Sequence, residues 1–134
     1  MNSEKNPKLE GKALAEQAAE KALDKKAEEL VLIDLRATSG VADWFLICQG
    51  NSPAQNRAIA SAVERGLREH GARPWQEEGL EEGRWVLLDY VDVVVHIMLP
   101  EVREFYEIEL LWNECPQTSI ESEHEGDESE VSEW

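Results

Sequence analysis

Asp89 and Asp92 flank Tyr90-Val91 beside an apolar run, and two carboxylates so close together could hold a magnesium ion for phosphoryl transfer. Gly50-Asn51-Ser52 stands before a helix-forming stretch, where backbone N–H groups could surround a phosphate. His96 sits inside a valine-rich run and is a candidate for proton transfer. Each group also has a structural reading that carries more weight. Aspartates at strand ends are commonly solvated turn residues. Ser52 is accounted for as a helix N-cap. A histidine among apolar neighbours is more often a hydrogen-bonded core residue than an acid or base. His70, His96 and His124 lie in separate predicted elements, and Cys48 and Cys115 have no motif spacing, so neither a metal site nor a disulfide framework is indicated. No phosphate loop, dinucleotide fingerprint, nucleophile elbow or His-Glu-x-x-His motif occurs. The sequence therefore indicates neither catalysis nor a cofactor.

Aromatic residues give the better lead. Trp85, Tyr90, Phe105, Tyr106 and Trp112 gather around the last predicted strands and helix. Val102, Phe105, Ile108 and Trp112 share one helical face, which is expected to pack inward. Tyr106 is offset from that face, beside Arg103 and Leu110; these residue types anchor protein interfaces, and a core position for the ring is the alternative.

The elements that position these groups are legible from periodicity. Pro7 to Lys25 reads as an amphipathic helix, with Leu14, Ala18 and Ala22 stacked at four-residue spacing. Glu29–Asp34 and Trp44–Gln49 read as strands. Ser52-Pro53-Ala54-Gln55 opens a helix with an N-cap, a proline at the first position and a glutamine placed for a capping box. Ile59, Ala62, Val63 and Leu67 face inward, and Gly71 ends the helix after His70. Arg73–Gln76 is a candidate short strand and Gly79–Gly83 a turn. Trp85–Asp89 and Val93–Met98 form a strand pair, the second with the continuous apolar character of a strand covered on both faces. Glu101–Trp112 is the final helix. The order is α-β-β-α-β-β-β-α, an α/β arrangement of one sheet with packed helices.

Charge bounds the partners. The chain of 134 residues carries a formal charge of −16. Eight carboxylates and no Lys or Arg fall in residues 113–134, which leaves −8 for the rest. Direct binding to nucleic acid needs basic residues to displace counterions, so it is not expected, whereas a basic protein partner is. No run approaches the roughly 20 apolar residues of a membrane span, and the polar N-terminus lacks a signal-peptide core, so a cytoplasmic protein without membrane contact is predicted. Residues 1–115 are expected to form a single domain. Residues 116–134, rich in Ser and Glu, are expected to be a disordered tail whose removal leaves folding and docking intact.

The stretch Gly79 to Trp112 resembles the signature of the Iojap family of ribosome-silencing factors. It shares a Trp, an apolar pair and Asp (Trp85-Val86-Leu87-Leu88-Asp89), a two-aspartate turn, and a valine strand ending in His96. A helix bearing Arg103, Tyr106, Leu110 and Trp112 follows. Val41 to Ser52 is similar too, with Trp44 where a smaller residue is commoner. The resemblance spans residues 11–112. It implies a mixed five-stranded sheet with flanking helices, like nucleotidyltransferases in shape but without their full set of catalytic acids. It also implies a translation inhibitor that docks on the fourteenth protein of the large ribosomal subunit and blocks joining of the small subunit. By this resemblance the docking residues are Trp85, Leu88, Asp89, Tyr90, Leu99, Arg103 and Tyr106, and relatives form homodimers. The competing readings are a divergent magnesium-dependent nucleotidyltransferase using Asp89 and Asp92, and a plain dimeric scaffold. The absent second acidic pair and absent basic residues for a triphosphate count against the first.

Overall fold

Alanines at helical spacing let two helices approach closely over one face of a sheet. In the structure, a computed structural model that describes residues 8–38 and 40–121, α1 (Gly11–Asp24) buries Leu14, Ala15, Ala18, Ala19 and Ala22. It packs beside α2 (Pro53–Arg68), which buries Ile59, Ala60, Ala62, Val63 and Leu67. At the crossing the Lys21 stem lies where a Cβ on Gly66 would be, so any larger residue there would displace that side chain. The Ser52 cap of α2 forms as its sequence predicts, while Gln55 closes back on Asn51 rather than on the N-cap residue itself. Ser52 Oγ accepts from Gln55 N at 3.1 Å, and Gln55 Oε1 accepts from Asn51 N at 2.8 Å. Gln55 Nε2 also donates to the Lys25 and Lys26 carbonyls, which fixes the end of α1 against the start of α2.

The strands are β1 (Glu28–Asp34), β2 (Trp44–Gln49), β3 (Gln76–Glu78), β4 (Trp85–Asp89), β5 (Val93–Met98) and β6 (Gln117–Ile120), in the sheet order β3-β4-β5-β2-β1-β6. β2 and β5 are parallel and every other pairing is antiparallel, so the sheet is mixed. β5 is buried at every position, as its unbroken apolar sequence implies. The short strand expected at Arg73–Gln76 lies slightly later, at Gln76–Glu78. Gly71 takes the left-handed conformation expected of it (φ 82°), just past the end of α2.

Two expectations are corrected. The sheet has six strands rather than five, because Gln117–Ile120, placed in the tail by its polar composition, pairs with Leu30–Ile33 of β1. Backbone hydrogen bonds and the packing of a single apolar side chain, Ile120, at the core edge hold this strand, and neither needs a run of apolar residues. Residues 122–134 of the expected tail lie outside the described residues, as does Pro7 of the expected first helix. The final helix is also broken in two. Glu107 adopts left-handed dihedrals (φ 49°, ψ 49°) and separates α3 (Pro100–Tyr106) from α4 (Ile108–Leu111). Phe105, within the unbroken α3, points outward and does not share the buried face of Val102 and Ile108.

The sheet has two different faces. Leu32, Leu46, Val86, Leu88, Val95 and Ile97 meet α1 and α2 in the larger core. On the other face Ile33, Ile47, Met98, Leu99, Val102 and Ile108 form a smaller core beneath α3 and α4. Those short helices cover only one end of that face.

Candidate protein-docking surface

Period-two alternation sends Trp85, Leu87 and Asp89 of β4 to the sparsely covered face, and Val86 and Leu88 to the helix-covered one. Across the ladder, Trp85 pairs with Met98, Leu87 with His96 and Asp89 with Val94; in the parallel register, Phe45 pairs with Val94 and Ile47 with His96. Five ring contacts join six side chains into a row over this face. Trp112 meets Phe45 edge-on at 6.1 Å, and Phe45 meets His96 at 4.6 Å. His96 lies 6.0 Å from Trp85, Trp85 lies 5.0 Å from Tyr106, and Tyr106 meets Phe105 at 4.9 Å. Phe105 is 78% exposed and Tyr106 52%, and beyond them Leu110 and Leu111 also face solvent. Contiguous apolar exposure of this kind marks an interaction surface.

His96 holds the row in place. Trp85 donates its Nε1–H to His96 Nδ1 at 3.1 Å, so the neutral ring carries its proton on Nε2, which is buried and has no partner among the described residues. Burial pushes the His96 pKa down to about 4. The imidazole is therefore a neutral acceptor for the indole at ordinary pH, in keeping with the structural reading of this residue.

The expected docking residues divide by position. Trp85, Asp89 and Tyr106 reach the open face. Leu88 and Tyr90 do not: both are buried in the core shared with α1 and α2, and burial raises the Tyr90 pKa. Leu99 is buried beneath α3. Arg103 is buried as well. Its Nε and Nη2 donate to Glu109 Oε2 at 2.8 and 2.5 Å, and Nη1 donates to Gln49 Oε1 at 3.2 Å, which ties α3 to α4 and to β2. Leu88 and Tyr90 thus support the surface from behind the sheet, and Leu99 and Arg103 fix α3 upon it. The sequence reading missed Phe45, Leu87 and Phe105. Alternation within β2 and β4 was the signal for the first two, whereas nothing in the helical spacing of Phe105 marked it as exposed.

Asp89 has a local role. Its Oδ1 accepts from Val91 N at 2.8 Å across a turn in which Val91 takes φ 76°, and Tyr90 N donates to the Val93 carbonyl. Among the described residues no cluster of three or more His, Cys, Asp or Glu side chains could hold a metal ion. The rim is acidic: β3 contributes Glu78, the following turn Glu81 and Glu82, and α3 Glu101 and Glu104, all exposed, while Glu77, opposite Leu88, points to the helix-covered face. A cavity of about 170 Å³ opens between Glu82, Arg84, Trp85, Val102 and Tyr106. Such an arrangement suits recognition of a basic protein surface with apolar anchoring points.

Comparison with known proteins agrees with this architecture. Residues 8–133 match the family described as "Ribosomal silencing factor during starvation". The chain is 43% identical over 98 residues to the ribosomal silencing factor RsfS of Halalkalibacterium halodurans, covering 73% of this chain and 84% of that one. It is 40% identical over 110 residues to the RsfS of Bacillus subtilis, covering 82% and 93%. A crystal structure of a protein from Chromobacterium violaceum superposes with a TM-score of 0.76 at 36% identity, covering 78% of this chain and 88% of that one. The aspartate turn, the valine strand with its indole-bonded histidine and the aromatic helix thus sit in a chain that belongs to the ribosomal silencing factor family.

Proposed function

We propose that this protein inhibits translation by docking on the large ribosomal subunit, through its ribosomal protein fourteen, and blocking the small subunit from joining. The observation that carries this reading is the aromatic row over the open half of the sheet. Trp85, Tyr106 and Phe105 offer apolar anchors, and the surrounding carboxylates favour a basic partner. Family membership supplies the ribosomal context. Contact is with protein rather than RNA, because the acidic rim repels phosphates. A homodimer formed through the same face would compete with docking. The test is co-sedimentation with isolated large and small subunits, followed by addition of small subunits to the loaded large ones. Retention on large subunits alone, with a loss of joined ribosomes, is expected. Equal retention on both subunits, or unimpaired joining, would refute the proposal.

A further inference from the structure

A second recognition feature lies at the opposite edge of the sheet and on its other face. β6 is the terminal strand, so among the described residues one side of its backbone has no strand neighbour. α1 overhangs that edge. Between its flank and β6 runs a groove of about 740 Å³, with Leu9, Ala13, Leu23 and Ile120 among its walls. The groove continues past the start of β1 into a cavity of about 380 Å³ that shares Leu23, Ile120 and Glu121. Glu16, Glu20, Asp24, Glu28, Glu29 and Glu121 line the two, and no Lys or Arg does. The lysines of α1 are engaged elsewhere: Lys21 lays its stem against Gly66 of α2, and Lys12 reaches over the Trp44 ring.

We infer that this groove accepts an extended, lysine- and arginine-rich protein segment interspersed with apolar residues, added as a seventh strand along β6 beneath α1. An added strand sits about 4.8 Å from its neighbour, and its side chains point alternately to the two faces. The side chains on the α1 side would then meet Leu9, Ala13 and Leu23 where they are apolar and Glu16, Glu20 and Asp24 where they are basic. Main-chain hydrogen bonds give such strand addition its affinity, and alternate side-chain pockets give its selectivity. The chain's own residues 122–134 are excluded as occupant by charge, since they carry six carboxylates and no Lys or Arg. Nucleic acid is excluded for the same reason.

The test uses the full chain and a dodecapeptide of repeated Lys-Lys-Val-Val, which presents both residue types on each face of a strand, with the same peptide N-methylated on one edge as its control. Backbone amide shifts in Thr118–Glu121 and along the α1 flank are expected on titration. N-methylation is expected to weaken binding at least tenfold, because it removes the donors facing β6. The double change Glu20→Lys with Asp24→Lys is expected to weaken it on the order of tenfold, while Glu69→Lys at the end of α2 leaves it unchanged. Equal binding of the methylated peptide would reduce the effect to bulk charge and overturn the inference, as would shifts confined to the aromatic face. Shifts that follow protein concentration rather than peptide would assign the groove to a second copy, and would also overturn it. No ribosome enters this assay, so its outcome is independent of the docking test.

Discussion

Replacing Tyr106 with alanine separates anchoring from folding. The ring is 52% exposed and rests on Trp85 and Phe105, with solvent on its open side, so truncation leaves no enclosed cavity. Full burial of an aromatic ring is worth about 3–5 kcal/mol on truncation. Half burial without a cavity brings the cost to about 1–2 kcal/mol, including two ring pairs of about 0.5 kcal/mol each. For a domain of this size that lowers the melting temperature by roughly 5–10 °C, against a total stability of about 5–15 kcal/mol, so the variant stays folded at 25 °C. As a docking anchor, Tyr106 should contribute about 2 kcal/mol to binding, or about thirtyfold in affinity. The assay pairs a thermal melt with a binding isotherm on isolated large subunits. Leu88→Ala is the contrast: its side chain is wholly buried against α1 and α2, so it should cost about 2–5 kcal/mol of stability while its folded fraction binds normally. A stable Tyr106→Ala protein that binds within twofold of the parent would remove Tyr106 from the surface. A collapsed melt would show that the ring carries core packing instead.

Acid should weaken the fold through His96. Its folded value of about 4 lies below the ordinary 6.5, so the unfolded chain binds the extra proton between those values. The stability is intact above about pH 6.5 and is lost as pH falls towards 4, reaching about 3 kcal/mol; urea midpoints across that window should fall less steeply in His96→Gln. Asp34, held down to about 2 by Arg36, acts in a separate window, with its contribution present above the ordinary 3.8 and lost as pH falls towards 2; Arg36→Ala should abolish that limb of the titration. Glu107→Gly should raise stability by about 0.5–1 kcal/mol, since a left-handed residue without Cβ relieves strain, and a lower urea midpoint would contradict this. Removing residues 117–134 should lower the melting temperature by several degrees through loss of β6 and Ile120, whereas removing 122–134 should not; equal melts would show that β6 contributes nothing.

Local chemistry announced much of this fold. The Ser52 cap, the left-handed Gly71, the apolar β5 and the alternation of β4 all depend on residues close in sequence, so their physics is readable there. β6 was not readable, because Gln117-Thr118-Ser119-Ile120 offers no apolar pattern and its partner is the distant edge of β1. The kink at Glu107 was equally hidden, since a glutamate in a helical stretch gives no sign of left-handed dihedrals. For the surface, composition singled out the aromatic and charged side chains but not their direction. Tyr106 lies outside as its offset suggested, while Leu88 and Tyr90 lie behind the sheet, and Arg103 spends its charge on Glu109.

The pairing of β6 with β1 has a consequence during synthesis. Ile33 and its partner Gln117 are joined across the sheet but lie far apart along the chain. At a translation rate of about 5–20 residues per second, the last strand follows the first by about 4–17 s. Through that interval the β1 edge has no strand beside it, and an unpaired edge is a template for other extended chains. The nascent protein therefore passes through a stage in which its sheet is open on the side that β6 later closes. Slower elongation over residues 34–117 prolongs that exposure, and with it the time available for chaperone capture or aggregation.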